Sequence, residues 1–351
     1  FHVARQRCPA DGRGWPQADA DCVRHPRIGP HAARGSGGIG SGFGEPLSHS
    51  KIVSMVQQAC KLSEKVELIT NGVLLTEERS RAFIEAGLHT LWVSVDGATP
   101  DSYADIRLGA QLPTIFKNIS RYHDLYRQII GGEPRLGMVF VAMKRNIGDL
   151  PELLHMSTRL GISHYLVTNV LPYTKEMCTE MLYSRAVDTS VSQPSLWSPY
   201  LDFPSIDINQ DTREALLRIM SSHRSNFLMD GDSTDKRNRC PFIHQGALAI
   251  AWNGDLSPCL PLLHSHVSYL QGKRRVVQRQ VIGNVSTQSI SDLWKLPDYV
   301  SFRERVADFD FSPCSVCASC EMSDANQVDC FGNIFPTCGG CLWAQGFIRC
   351  P

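Results

Sequence analysis

The sequence predicts an α/β fold followed by a cysteine-rich extension, on three observations. Short apolar runs alternate with amphipathic helical stretches from about residue 38 to 230. Polar or glycine-rich steps close the successive runs. Seven cysteines crowd the segment from Ser312 to Pro351.

At 351 residues the chain suits one large domain or two ordinary ones, and 42% hydrophobic with 20% charged residues is a globular composition. Basic and acidic residues balance at 35 each, so no nucleic-acid or anionic-membrane partner is expected. There is no apolar run of membrane-spanning length and no signal-peptide core, so a cytoplasmic location is expected, where thiols stay reduced. The odd total of 13 cysteines also fits a disulfide framework poorly.

SKIVSMVQQACKL (50–62) reads as a helix with Ile52, Met55, Val56 and Ala59 on one face. VELIT (66–70) is a strand. TEERSRAFIEAG is a helix opened by Thr76 as N-cap and closed by Gly87. HTLWVSV (89–95) is a strand, and DGATPDSYADI a loop and helix start. LGMVFVA (136–142) and ISHYLVT (162–168) are strands, followed by helices in NIGDLPELLHMSTRLG and KEMCTEMLYSR. Apolar strands alternating with helices imply right-handed crossovers and a parallel sheet covered on both faces. An open barrel and a doubly wound sheet both satisfy the pattern, and both place ligands at the C-terminal ends of the strands. Those ends carry GFGEP (42–46), TNG (70–72), SVDG (94–97), KRN (144–146) and TNVLP (168–172). Singly each is ordinary turn chemistry. In succession they form the rim of one pocket.

GFGEP resembles the GGEP-type motif of radical SAM enzymes, and LITNG and WVSVDG resemble the third and fourth strands of that family's partial (β/α)6 barrel. The resemblance covers about residues 38–180 and implies S-adenosylmethionine (SAM) as cofactor. It places Gly44, Glu45 and Pro46 at the methionine ammonium, with Thr70 and Asn71 on the same rim. Ser94 and Asp96 fall near the ribose and carboxylate, and Asn169 and Val170 near the adenine. An ammonium requires a carboxylate and carbonyls, and a ribose diol short polar side chains.

In the C-terminal region, Cys240 and Cys259 flank two apolar segments joined by WNGD, a hairpin signal that brings both thiols to one end. A strand end and helix follow in IGNVSTQSISDLWKL. The candidate metal ligands are Cys240, Cys259, Cys314, Cys317, Cys320, Cys330, Cys338, Cys341 and Cys350. Spacing alone leaves zinc and iron–sulfur open, since Cys314-x2-Cys317 with Cys338-x2-Cys341 would satisfy a four-thiolate zinc ribbon. The C-x13-G-x4-C pattern, the following G-N-V and the clustered thiols resemble the SPASM extension of radical SAM proteins, which implies one or two auxiliary [4Fe–4S] clusters. Cys60 and Cys178 read as ordinary buried helix residues, Asp324 and Asp329 as solvated acids, and the basic run GKRRVVQR (272–279) as a solvated loop.

The expected organisation is an irregular leader over 1–37, a radical SAM core over 38–230 and a SPASM-like cluster domain over 231–351. YLVTNVLPYTKEMCTEMLYSR and the ending CGGCLWAQGFIRCP are similar to the maturases associated with tungsten-cofactor oxidoreductases. That likeness implies a protein or cofactor-precursor substrate in such a system and an electron donor such as ferredoxin or flavodoxin. Two alternatives stay open: a peptide- or protein-modifying SPASM enzyme of sulfatase or bacteriocin maturase type, and a non-catalytic zinc or iron–sulfur binding protein.

The leader is rich in Arg, Gly, Pro and Ala and shows no period, and upstream of GFGEP only Cys8 and Cys22 occur. The C-x3-C-x2-C loop that holds the SAM-binding cluster in the family is therefore not encoded here, and a lost or frameshifted N-terminus is the expectation. The chain as written should yield no 5′-deoxyadenosine from SAM with dithionite, even with auxiliary clusters loaded. Grafting an N-terminal strand and C-x3-C-x2-C loop should switch the product on. Robust release from the unaltered 351-residue chain would instead assign Cys8 and Cys22 to a site.

Overall fold

The computed structural model describes residues 2–5, 37–40, 44–99, 112–183, 200–202, 204, 206–221, 228–229, 238–270, 273–315 and 320–349. The chain divides into two units. One comprises Phe1–Gly44, Ser54–Glu67 and Lys236–Gln345; the other comprises Glu45–Val53, Leu68–Asp235 and Gly346–Pro351. Among the described residues no helix is long and apolar enough to cross a membrane.

Strands β1 (His2–Arg5) and β2 (Gly37–Gly40) pair antiparallel, with His2 opposite Gly40. A strand thus occupies the start of the segment read as an irregular leader; residues 6–36, with Cys8 and Cys22, lie outside the described residues. Helix α1 (Ile52–Leu62) buries Ile52, Val56 and Ala59 at helical spacing.

The α/β unit follows. After β3 (Lys65–Thr70) comes α2 (Glu77–Glu85), where the Thr76 hydroxyl accepts from the Arg79 N–H at 3.3 Å and Gly87 ends the turn at φ +82°. Then come β4 (Thr90–Ser94), α3 (Leu112–Ile129), β5 (Leu136–Ala142), α4 (Leu150–Arg159), β6 (His164–Asn169), β7 (Tyr200–Asp202), α5 (Arg213–Ser221) and β8 (Leu228–Met229). From β4 to β8 the strands pair in parallel in sequence order, Leu91 opposite Leu136 and Gly137 opposite His164. β5 is buried at every position but Val141, as a strand covered by helices on both faces requires. The expected α/β class is what forms.

Two elements differ from the sequence reading. The run KEMCTEMLYSR is one 3-10 turn, Glu176–Glu180, after which Met181 is extended at φ −68° and ψ 137°. Its polar groups serve neighbours instead of a helix: the Glu180 carbonyl accepts from Lys144 N–H and the Leu182 carbonyl from Asp207 N–H. Conversely, α3 is a helix of 18 residues in a stretch for which no element was read, while the helix start expected in DGATPDSYADI falls largely outside the described residues. Ile115, Ile119, Tyr122 and Leu125 bury its inner face.

In the other unit, α6 (Pro241–His244) leads into the hairpin of β9 (Ala247–Ile250) and β10 (Asp255–Ser257), with Gly254 at φ +87° in the WNGD turn. β11 (His266–Leu270) and β12 (Lys273–Val277) form a second, two-stranded sheet. β13 (Gly283–Asn284) pairs with β10, and α7 (Ile290–Trp294) and α8 (Pro297–Asp308) complete the unit. The sheet order here is β13-β10-β9-β1-β2. The basic run read as a solvated loop is therefore largely a strand, and Arg275 within it is only 8% exposed.

Trp92 shows how tightly the parallel strands pack. It stands opposite Gly137 and meets the His164 ring edge-on at 6.3 Å, so its indole lies across the glycine. A Cβ on Gly137 would lie 2.1 Å from the Trp92 ring. Gly137→Ala should therefore lower stability by about 1–3 kcal/mol, the usual cost of overpacking a core. Denaturant unfolding checks this, and an unchanged midpoint would mean the indole can swing aside.

Candidate functional site

The rim residues are organised by the polar groups that each strand leaves at its C-terminal end. Gly44 holds φ +113° and Pro46 opens a short 3-10 turn, Pro46–Ser48. The Glu45 carboxylate reaches back to β3. Its Oε1 accepts from Leu47 N–H at 2.9 Å and from the Thr70 hydroxyl at 2.6 Å, and its Oε2 accepts from Asn71 N–H at 2.8 Å. Three of the five sequence-predicted residues of this corner, Glu45, Thr70 and Asn71, are thus joined through one side chain. Asn71 Oδ1 in turn accepts from Val73 N–H at 3.0 Å.

Asp96, 3% exposed, follows β4 and accepts from Val141 N–H of β5 at 2.9 Å. Asn146, which the sequence reading left as part of a turn, donates to the carbonyls of Asp96 at 3.0 Å and Val141 at 2.9 Å. Its own Oδ1 accepts from Met143 N–H at 2.7 Å. The ends of β4 and β5 are stitched by these two buried side chains. Ser94 is the last residue of β4 and is half-buried. Asn118 on α3 does the same for the loop after β3, donating to the Gly72 carbonyl at 2.8 Å. The bonds from Asn146 to Asp96 and from Asn118 to Gly72 carry no local sequence signal, because these partners lie on other segments.

Asn169 and Val170 end β6 and are buried. The tail of the chain covers them: Asn169 donates to the Phe347 carbonyl at 2.9 Å, and the Thr168 hydroxyl accepts from Arg349 N–H at 2.9 Å. Phe347 stacks on Tyr183 at 5.2 Å, and the Tyr183 hydroxyl donates to the Val170 carbonyl at 3.1 Å. Sequence reasoning had kept this tail for the cysteine-rich region alone.

Among the cysteines, the structure gathers Cys240, Cys259, Cys338 and Cys341. Arg239 N–H donates to the Ala344 carbonyl at 3.1 Å and Gln345 donates to Asn238 Oδ1 at 2.9 Å, so the segment before Cys240 is stapled to the one after Cys341. Cys341 N–H closes a turn on the Cys338 carbonyl at 2.9 Å. Burial raises the Cys259 thiol well above its ordinary value, and the neighbouring Cys240, Cys341 and Cys338 raise it further. Burial likewise pushes Cys240 up to about 12, with Cys341 adding to the effect. The same thiols in the presence of a cation would ionise and ligate it.

The donor set, four thiols, is of the kind that holds an iron–sulfur cluster. Among the described residues no three His, Cys, Asp or Glu side chains stand close enough to hold a single metal ion. The four thiols are buried as neighbours, and thiolate-only ligation is what iron–sulfur clusters take. Buried polar atoms left over beside this set fit the same reading: Arg305 Nε and Thr337 Oγ1 have no hydrogen-bond partner among the described residues.

The surroundings of the remaining candidates differ. Cys314 Sγ sits 3.1 Å from Ser312 Oγ, Cys320 is half-buried at the start of a 3-10 turn, and Cys330 is exposed. Cys317 and Cys350 lie outside the described residues. Asp329 is not a solvated acid. It is 4% exposed and accepts from the N–H groups of Ser312, Phe331 and Asn333 at 3.0–3.1 Å, folding the turn around Cys330. Asp324 pairs with Lys273 at 3.0 Å. Cys60 and Cys178 are half-buried, and burial raises the Cys60 thiol to about 11.

Comparison with known proteins bears on both regions. A radical SAM superfamily model matches residues 20–133, and an iron–sulfur cluster-binding SPASM model matches residues 240–321. The chain is 27% identical over 319 residues to the tungsten-containing aldehyde ferredoxin oxidoreductase cofactor-modifying protein of Pyrococcus furiosus, across 88% of this chain and 82% of that one. It is 29% identical over 127 residues to the PqqA peptide cyclase of Rhizobium meliloti, across 36% of this chain and 32% of that one. Among solved structures, Streptococcus suis SuiB bound to S-adenosylmethionine is similar at a TM-score of 0.46 and 15% identity. That match covers 78% of this chain and 58% of SuiB, so the chain spans little more than half of SuiB's length. By the family models the chain carries a radical SAM superfamily domain over residues 20–133 and an iron–sulfur cluster-binding SPASM domain over residues 240–321.

Proposed function

We propose that the chain is a radical SAM/SPASM maturase that modifies the protein or the cofactor of a tungsten-containing oxidoreductase. The likeness to the Pyrococcus furiosus cofactor-modifying protein over most of both chains carries this reading. In it, SAM lies against the rim of the α/β unit and an auxiliary cluster is held by Cys240, Cys259, Cys338 and Cys341. Cys314, Cys317, Cys320, Cys330 and Cys350 remain for a second. SAM with its clusters supplies one-electron chemistry at an unreactive C–H bond when bound.

The chain's own residues orient that cofactor. A carboxylate offers about four acceptor sites. Glu45 spends three on Leu47, Thr70 and Asn71 and keeps one for the SAM ammonium. The three donors also fix its direction. Ser94 and Asp96 serve the ribose side, with Asp96 anchored through Val141. Asn169 and Val170 serve the adenine side, beneath Phe347 and Arg349, whose cover excludes water there. The electron donor is a ferredoxin or flavodoxin, and the location is the cytoplasm, where so many free thiols persist. The domain bounds follow the sequence reading, 38–230 for the SAM-binding core and 231–351 for the cluster domain. A peptide-modifying SPASM enzyme is the second reading, favoured by the partial likeness to a peptide cyclase.

Anaerobic reconstitution should load iron and sulfide at about one or two cubane clusters per chain, with broad thiolate-to-iron absorption. Cys259→Ala and Cys338→Ala should each lower the iron content. Stoichiometric zinc without iron would remove the cluster assignment. Glu45→Gln, in a chain carrying the family's N-terminal cluster loop, should weaken SAM binding by about 1–3 kcal/mol, the scale of a charge-assisted hydrogen bond. Calorimetry showing unchanged affinity would remove the rim assignment. Separately, a tungsten oxidoreductase produced without this chain should carry a cofactor or polypeptide of altered mass, whereas an unaltered one would favour the peptide-modifying reading.

A further inference from the structure

The basic strand β12 has no place in the roles described so far, yet it faces the cysteines. Lys273 donates to the Cys320 carbonyl at 2.5 Å and to Ser323 Oγ at 2.9 Å. Two residues on, and so on the same side of the strand, Arg275 is 8% exposed. Its guanidinium lies against Gly340, in the middle of the C-G-G-C turn: a Cβ on that glycine would fall 1.3 Å from Arg275 Nη1. The turn is therefore glycine at this position because an arginine occupies the space a side chain would take. From the other side, Arg305 of α8 donates to the Pro336 carbonyl at 3.3 Å, two residues before Cys338, and keeps its buried Nε without a hydrogen-bond partner among the described residues. Two guanidinium groups thus flank the segment that bears Cys338 and Cys341.

Burying a cation is costly unless a negative charge is near. Arg275, buried against Gly340, lies at the turn between Cys338 and Cys341, thiols that become negative on ligation. A carboxylate alone does not account for the arrangement, because Asp324 already pairs with Lys273.

We propose that Arg275 and Arg305 are positioning residues for the auxiliary cluster on Cys240, Cys259, Cys338 and Cys341, a buried cationic clamp that balances its negative charge and raises its reduction potential. This rests on the cluster assignment above. A thiolate-ligated cluster is anionic and gains one more negative charge on one-electron reduction. Nearby fixed cations stabilise the reduced state more than the oxidised one. Arginine suits the task because it stays charged when buried and can direct several N–H groups at sulfur.

The test is a dithionite titration of the full-length, anaerobically reconstituted chain, followed by electron paramagnetic resonance, with iron and sulfide counted for each variant. Arg275→Gln should lower the ratio of reduced to oxidised cluster about tenfold at the wild-type midpoint, a downward shift of about 59 mV for one electron. Arg305→Gln should move it the same way, and Arg275→Lys, which keeps the charge, should stay near wild type. Should Arg275→Gln fail to hold its cluster, retention by Arg275→Lys would support the charge requirement, and loss in both would overturn it. An unmoved midpoint in a fully loaded Arg275→Gln chain overturns the clamp, as would an Arg275→Lys shift as large as the Gln shift, since an arginine that only braces the turn would behave in those ways. A wild-type chain that takes zinc and no iron overturns the cluster assignment itself, and the clamp with it.

Discussion

The α/β unit depends on one constraint: a parallel strand that stops inside the protein leaves backbone groups that must find partners away from water. Here side chains supply them. Glu45 closes the end of β3, Asp96 and Asn146 tie β4 to β5, and Asn118 holds the loop after β3. Leaving one such group unsatisfied costs about 1–3 kcal/mol. The residues that shape the rim are therefore also those that terminate the sheet, and a rim built this way is rigid before any ligand arrives. Rigidity of this kind is what a site for a flexible, charged cofactor requires.

The cysteine-bearing unit obeys a different economy. Its strands are short, and long stretches from Phe309 onward are turns, held by side chains such as Asp329 and Asn326 that each serve several backbone groups. Into this framework four thiols and two guanidinium groups are placed together. Cysteines and arginines of opposite charge are each costly to bury singly and mutually supportive when a metal core draws the thiols into their ionised form. Gly340 is the point where both demands meet, as a residue small enough to let Arg275 lie against the turn between Cys338 and Cys341.

Legibility in the sequence followed the range of the interactions. Strands such as β5, the Thr76 cap and Gly87 stop of α2, and the WNGD hairpin were readable because their causes lie within a few residues. α3 was not read, and KEMCTEMLYSR was read as a helix because its local pattern permits one. Contacts to Lys144 and Asp207, far along the chain, decided otherwise. The run KRRVV looked like any solvated basic stretch, and only its pairing with β11 turned alternate residues inward.

The sequence by itself determined the α/β class, the polar character of the strand ends and the supply of thiols, since periodicity, turn chemistry and composition are local properties of the chain. The tertiary structure decided which thiols meet, that Asp329 folds a turn, that the tail lies over β6, and that Arg275 is buried beside a C-G-G-C turn. Those outcomes are fixed by partners tens to hundreds of residues apart, whose proximity exists only once the intervening segments have packed.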